Sequence, residues 1–484
     1  MPAPFIGRHT ELALLRKRLA RVSADATGVA VAIRGRRQVG KSRLVQQFCD
    51  GAEVPYVFFT ATKGASPIEG IAGFVTELRE SSLPAAPELV PATAPTNWPD
   101  AFRTLAAVLP ASPSIVVLDE LPWLAEQDPV FDGALQTAWD RLLAGRPVLL
   151  LLLGSDLHMM ERFTAYDRPF YGRADSLVLG PLDPAETGDV LGLDAADALD
   201  AHLVSGGLPG ILRAWPHGTP ALDFVKDECA DPASPLFGVP EAALLAEFPA
   251  PDQARRVLEA VGSGDRTHAN IAATAGSQSG ALPSGILSPL LRRLTVEKRV
   301  LAADSPLSTS PGKPALYRVA DSNLRLYLAA TRSAQELSRR GRPDTAYRTV
   351  LRRWTAWRGR AVEPLIREAL ELAAAASEDF PWPDTEVVGG WWNRRFAPEI
   401  DLIGADRTPV AGSLYFAGSV KWLASPFDQQ DLNALRTGAA EVPGFGPGGT
   451  GLAVVSLSGV TRAVSDDAVD LVWGAKDVVA AWRP

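Results

Sequence analysis

The chain has only two cysteines, Cys49 and Cys229, among 484 residues. That leaves room for neither a disulfide framework nor a cysteine zinc cluster. It has no apolar run near the ~18–20 residues that a membrane-spanning helix needs. The longest such run, residues 148–153, has the length of a strand. The opening Met1-Pro2-Ala3-Pro4-Phe5-Ile6-Gly7-Arg8 lacks the basic-then-apolar layout of a signal peptide. These absences lead us to expect a cytoplasmic protein with no membrane partner. Positive charge is also short: the formal net charge is -8. A surface that is basic throughout is thereby excluded, and any polyanion site must be local.

What is present is globular in kind, with 46% hydrophobic and 21% charged residues. The length calls for several domains. Strand-like and helix-like periods alternate through the first 180 residues. Apolar or β-branched runs at 29–34, 56–61, 115–118, 148–153 and 176–179 predict five strands, with helices at 11–21 and 42–48. Such an α/β alternation implies a parallel sheet covered on both faces. The Pro- and Ala-rich residues 83–99 read as an irregular insertion.

The remaining chain is expected as a helical lid (183–248) and a winged helix-turn-helix (249–325). An Arg-rich helical connector (326–360) and a C-terminal α/β domain (361–484) would follow. The first domain would be 1–182. One long Arg-rich helical region is expected at about 321–376, and strands near 386–388, 399–403, 414–422 and 452–457.

Gly35-Arg36-Arg37-Gln38-Val39-Gly40-Lys41-Ser42 matches GxxxxGK[ST], between a predicted strand and a predicted helix. The glycines let consecutive N–H groups turn inward onto phosphate oxygens, and the following helix adds its positive end. Lys41 is expected on the β- and γ-phosphates of ATP and Ser42 on Mg2+, with Arg43 beside them. The run Ile115-Val116-Val117-Leu118 delivers Asp119 and Glu120 to a strand end. Asp119 is the second expected metal holder and Glu120 the general base. Ser155, after Gly154, stands where a polar sensor of the γ-phosphate would sit, although Gly-Ser also simply turns a strand. Arg168 and Arg173 follow in a loop; either suits transition-state charge, in cis or across a subunit boundary, and either suits a solvated surface.

Phe5-Ile6-Gly7-Arg8 with Glu11-Leu12, the Gly35–Ser42 loop, Asp119-Glu120, Gly154-Ser155 and Gly206-Gly207-Leu208-Pro209 occur in a characteristic order. The whole chain resembles the archaeal-type ATPase family, a branch of the AAA+/STAND P-loop proteins. The resemblance implies that the strand before Ser155 lies between the phosphate-loop strand and the Asp119-Glu120 strand. It also implies that the segment Phe5-Ile6-Gly7-Arg8 and the segment Gly206-Gly207-Leu208-Pro209 flank the adenine, with Phe5, Ile6 and Pro209 as the expected contacts. From the residues alone, Phe5-Ile6 would be a hydrophobic staple and the Gly-Gly-Leu-Pro segment a helix cap and turn.

The resemblance extends to a companion domain with the fold of PD-(D/E)xK nucleases, here a restriction-endonuclease-like α/β domain. Its helical acid matches Glu363, its Trp-Trp-Asn matches Trp391-Trp392-Asn393, and its strand acids match Glu399 and Asp401. Its last motif reads Ser419-Val420-Lys421-Trp422, so serine replaces the second metal-binding carboxylate. Asp401 is left with at most Glu399 on the same strand face. A nuclease-like fold kept for binding or assembly is the resulting expectation.

Two basic features suggest DNA or RNA as a partner. One is Arg292, Arg293, Lys298 and Arg299 in the winged-helix segment. The other is residues 332–368, where ten arginines face four acids and Tyr347, Trp354 and Trp357 are interleaved. The reading is an ATP- and Mg2+-dependent ATPase whose turnover drives a conformational change coupled to nucleic acid or a protein partner, with homo-oligomers conceivable. The alternatives are a slow nucleotide switch controlling oligomerisation and an ATP-gated nuclease.

Overall fold

The computed structural model describes residues 5–248, 252–276, 280–311, 314–446, 449–464 and 468–483. The chain forms two compact units, Met1–Leu182 and Asp183–Pro484. Among the described residues no helix is long and apolar enough to cross a membrane.

The first unit is built on strands β1 (Val29–Arg34), β2 (Tyr56–Thr60), β3 (Ser114–Asp119), β4 (Val148–Gly154) and β5 (Ala174–Val178). All pairings are parallel, in the order β2-β3-β4-β1-β5. The three central strands are covered on both faces, which is why they read as unbroken apolar runs: Ile115–Leu118 and Val148–Leu153 are all at most 1% exposed. Strand β4 lies between β3 and β1, with Leu118 opposite Leu152 and Ile33 opposite Leu153. The ends of β1, β3 and β4 therefore emerge side by side.

Two expectations shift here. The irregular stretch ends at Asn97, because Trp98–Val108 is a helix capped by the Asn97 side chain on the Asp100 N–H. Pro99 sits in its first turn, where proline starts a helix rather than breaking it. Trp98 packs edge-on to Phe131 and beside Phe74 and Phe102. Strand β5 begins earlier than residue 176; it is an edge strand, largely exposed, so its sequence carries little burial pattern.

The second unit opens with the helices Pro184–Leu191, Ala195–Ser205, Pro209–Leu212, Ala221–Glu228 and Pro235–Glu247. Helices Gln253–Ser263, His268–Thr274 and Ser284–Arg292 follow, then the antiparallel pair β6 (Leu301–Asp304) and β7 (Leu316–Val319). The helical region expected over about 321–376 consists of two helical segments. Ser322–Arg339 is helical with a π turn at Tyr327–Thr331, and a new helix runs Pro343–Ala376. Gly341, at φ 69°, ends the first and Pro343 starts the second. The second sheet contains β8 (Val387–Trp392), β9 (Glu399–Ala405), β10 (Leu414–Lys421), β11 (Gly451–Ser456) and β12 (Leu471–Trp473). Its order is β12-β11-β10-β9-β8, antiparallel from β8 to β10 and parallel from β10 to β12.

Candidate nucleotide site

The loop after β1 curls because two positions accept only glycine. A Cβ on Gly35 would lie 2.3 Å from the Leu179 carbonyl oxygen. Gly40 has φ 92° and hands the chain to helix Lys41–Gly51. Lys41 is buried at 6% exposure, and its Nζ donates to the carbonyls of Gly35 (2.8 Å) and Arg36 (3.0 Å). Burial pulls its pKa down to about 8, against the pull of the Glu120 and Asp119 carboxylates.

The other half comes from the ends of β3 and β4. Asp119 is 2% exposed. Burial raises its pKa, while hydrogen bonds from the Ser42 hydroxyl and the Glu120 N–H oppose that rise. Glu120 takes a left-handed backbone, φ 55°, before helix Leu121–Gln127. For a bulky non-glycine residue this is a strained conformation, of the kind that collects at functional sites. The Ser155 hydroxyl donates to Glu120 Oε2 at 2.8 Å. Arg37, Gln38, Gly40, Lys41, Ser42, Arg43, Glu120 and Ser155 line one cleft of about 220 Å³.

Several residues expected at the nucleotide are not among those lining this cleft. Arg173 is gripped by Asp140 through Nε (2.8 Å) and Nη2 (2.9 Å), and donates to the Pro169 and Tyr171 carbonyls. Arg168 pairs with Asp132 at 3.0 Å. Neither lines the cleft; both anchor their own loop. Phe5 and Ile6 are half-buried ahead of helix His9–Asp25 and are not among the lining residues. Pro209 belongs to the second unit, where it is buried at the start of a four-residue helix.

Two contacts of the loop come from outside it, Trp123 as a residue the sequence reading missed and Arg8 as one it had set beside the adenine instead. Trp123, three residues past Glu120, has Lys63 (4.7 Å) and Arg37 (5.9 Å) over its ring. Arg8 reaches the loop backbone, donating to Val39 O at 3.0 Å. No local pattern announces Trp123, and the motif that contains Arg8 does not announce that its side chain turns onto the loop backbone.

In the second unit, strands β9 and β10 bring the C-terminal motif together. Asp401 Oδ2 accepts from the Ser419 hydroxyl (3.1 Å) and the Val420 N–H (2.8 Å). Glu363 lies near Arg367 at 3.6 Å. Its pKa is pushed up to about 7, by burial first and then by the Asp401 charge. Glu399 takes two hydrogen bonds from Arg266, at 2.7 and 3.2 Å. Lys421 is ion-paired to Asp431. Among the described residues no group of three or more His, Cys, Asp or Glu side chains could hold a metal ion.

The Arg-rich helix also reads differently in three dimensions. Trp354 and Trp357 are 8% and 7% exposed, on the inward stripe Ala346, Val350, Trp354, Trp357 and Ala361. They are core, not stacking platforms. Arg332 pairs with Glu259, Arg339 with Glu241, and Arg358 with the buried Asp200. Arg348, Arg352, Arg353 and Arg360 are exposed.

Residues 4–151 match the family model described as AAA ATPase domain. The chain is 23% identical over 404 residues to the uncharacterized protein MJECL04 of Methanocaldococcus jannaschii, covering 82% of this chain and 84% of that one. Two solved structures are similar at a low level. The Walker-type ATPase PABY2304 of Pyrococcus abyssi has a TM-score of 0.43 and 19% identity, covering 67% of this chain and 96% of that one. The Aeropyrum pernix ORC2 protein, solved in ADPNP–ADP complexes, has a TM-score of 0.45 and 14% identity, covering 70% of this chain and 96% of that one. The first unit thus carries an AAA ATPase domain.

Proposed function

We propose that the first unit binds ATP with magnesium and hydrolyses it. The observation that carries this reading is the meeting of Lys41, Ser42, Glu120 and Ser155 in one cleft, with Asp119 hydrogen-bonded to Ser42 at its base. The backbone N–H groups of the 35–42 loop receive phosphate oxygens, and Lys41 exchanges its two carbonyl partners for phosphate. Ser42 and Asp119 are hard oxygen donors in contact, a set that suits magnesium, and they would hold it. Magnesium bound there would neutralise charge developing on the phosphates. Glu120 takes the proton of the attacking water, and the Ser155 hydroxyl fixes the direction in which its carboxylate points.

Steady-state hydrolysis by wild type, Lys41→Ala and Glu120→Gln, with and without DNA, tests this. Both substitutions are expected to lower turnover by about 10²-fold or more. If nucleotide binds but wild type hydrolyses no faster than Glu120→Gln, the protein is a binding switch instead.

Turnover in the first unit is further proposed to change the state of the second, to which β5 leads directly through residues 179–183. Limited proteolysis should then cut residues 240–380 differently in ATP and in ADP. Identical patterns would remove the coupling. The exposed Arg352 and Arg353 are the best nucleic-acid contacts left on the helix. A salt-sensitive shift of labelled DNA that disappears in Arg352→Glu/Arg353→Glu supports that partner, and no shift at low salt rejects it.

A further inference from the structure

Arg8 ends the Phe5–Arg8 segment that the resemblance sets beside the adenine, yet its side chain is buried at 4% exposure among backbone carbonyls of the phosphate loop and the β5 exit. Its Nη2 donates to Val39 O at 3.0 Å and to Gly180 O at 2.6 Å, while Nη1 pairs with Glu11 at 2.9 Å. One guanidinium therefore joins three separate stretches of chain: the start of the first helix, the phosphate loop, and the exit from β5. Arg8 reaches them from a left-handed backbone, φ 66°. The planar fork of arginine can serve several acceptors at once, and a charged donor makes the stronger kind of hydrogen bond.

The consequence for the loop follows from the peptide bond. In a planar trans peptide the C=O and the next N–H point in opposite directions. With the Val39 carbonyl turned onto Arg8, the Gly40 N–H is aimed the other way, toward the cleft that Gly40 lines. Gly40, at φ 92°, has the freedom to turn otherwise if that hold is lost.

We propose that Arg8 is a positioning residue for the phosphate loop: it fixes the Val39–Gly40 peptide from behind so that its N–H faces the ligand's phosphates. This rests on the nucleotide reading given above. The same guanidinium holds Gly180, two residues before the chain leaves the first unit, so the loop's conformation and the exit segment are tied to one group.

The test separates phosphate from base. The full chain as wild type, Arg8→Ala and Arg8→Lys is titrated calorimetrically with ATP and with inorganic tripolyphosphate, both with magnesium, beside a melting curve for each. Arg8→Ala is expected to weaken both ligands by the same factor, about tenfold or more. Arg8→Lys, which keeps the charge but not the fork, is expected to fall between. The proposal is overturned if only ATP binding weakens, since Arg8 would then act on the base. It is also overturned if the melting point falls while both affinities hold, or if wild type binds ATP but not tripolyphosphate. Should Arg8→Ala not fold, Arg8→Lys decides: unchanged affinity for both ligands overturns the idea. A wild type that binds neither ligand removes the nucleotide reading itself, and this inference with it.

Discussion

The phosphate cleft of the first unit and the carboxylate cluster of the second hold the same kinds of group, arranged to opposite ends. Each has acids at strand ends with a lysine and a serine beside them. In the cleft, the bonded partners are neutral and exchangeable: two carbonyls for Lys41, a hydroxyl for Glu120, a hydroxyl and an N–H for Asp119. Each such bond is worth only about 1 kcal/mol net, so an incoming phosphate or metal can replace it. In the cluster, three opposite charges are already matched, Arg266 with Glu399, Arg367 with Glu363 and Asp431 with Lys421, while the Asp401 carboxylate is held, like that of Asp119, by a hydroxyl and an N–H. Breaking a part-buried pair leaves a charge stranded, which costs about 3–5 kcal/mol where burial is complete. The difference lies in what an incoming ion must displace: neutral partners at Lys41, Asp119 and Glu120, ion pairs at Glu399, Glu363 and Lys421.

The contrast is broken most easily by exchanging equivalent acids. Asp119→Asn should cut ATP turnover by about 10²-fold or more, because the metal loses its carboxylate. Asp401→Asn should leave turnover within about twofold, because the residues lining the nucleotide cleft all belong to the first unit. Equal losses in a steady-state assay would end the distinction. Next in size is Ser419→Glu, which sets a second carboxylate beside Asp401. In chelator its melting point should fall by roughly 2–8 °C, for about 1–2 kcal/mol of like-charge repulsion, and millimolar Mn2+ should restore it. Insensitivity to metal would show that the cluster is not one carboxylate short of a metal site.

Two pH measurements sharpen the comparison further. Lys41 has its pKa lowered to about 8 in the free protein, and a bound phosphate would raise it. ATP binding then takes up a proton above pH 8, so affinity should decline there, toward a limit of about tenfold per pH unit. Calorimetric titrations from pH 7 to 9.5 check this, and Lys41→Ala should be flat. Glu363 shifts the other way, with its pKa raised to about 7 from an ordinary 4.5. The folded state thus holds the proton more tightly, and this group's contribution to stability declines as pH rises from 4.5 through 7. Glu363→Gln should remove that decline, gaining about 2–3 kcal/mol at pH 8 relative to pH 5 in urea unfolding. An unchanged pH profile would mean that neither burial nor the Asp401 charge holds the Glu363 pKa up in the folded protein.

What could be read in the sequence was whatever depends on near neighbours. Strands β1, β3 and β4 declared themselves because burial on both faces leaves no polar position to interrupt them. The 35–42 loop was legible because its glycines, lysine and serine serve one ligand within eight consecutive positions. The inward stripe holding Trp354 and Trp357 was legible too, at helical spacing, but the density of arginine drew the reading toward stacking. The helix break was written in Gly341 and Pro343. Arg8, Arg168 and Arg173 belong to another class. Arg8 meets Val39 and Gly180 at separations of 31 and 172 residues, and Arg173 meets Asp140 at 33. Such partners are set by the closed fold, and no period or motif marks them in advance.

The register of β4 between β1 and β3 has its own consequence for how this chain can vary. Ser155 meets Glu120 because Leu152 stands opposite Leu118. One residue inserted within β4 would carry Ser155 about 3.3 Å along the strand axis and exchange the two faces of everything after it. The stretches between β3 and β4 carry no strand register, and there length can change only between the residues that hold a place, Trp123, Phe131, Asp132 and Asp140. Length variation is thus a local matter in the connections and ruinous inside the sheet. The chemistry is guarded by spacing as much as by the identity of its residues.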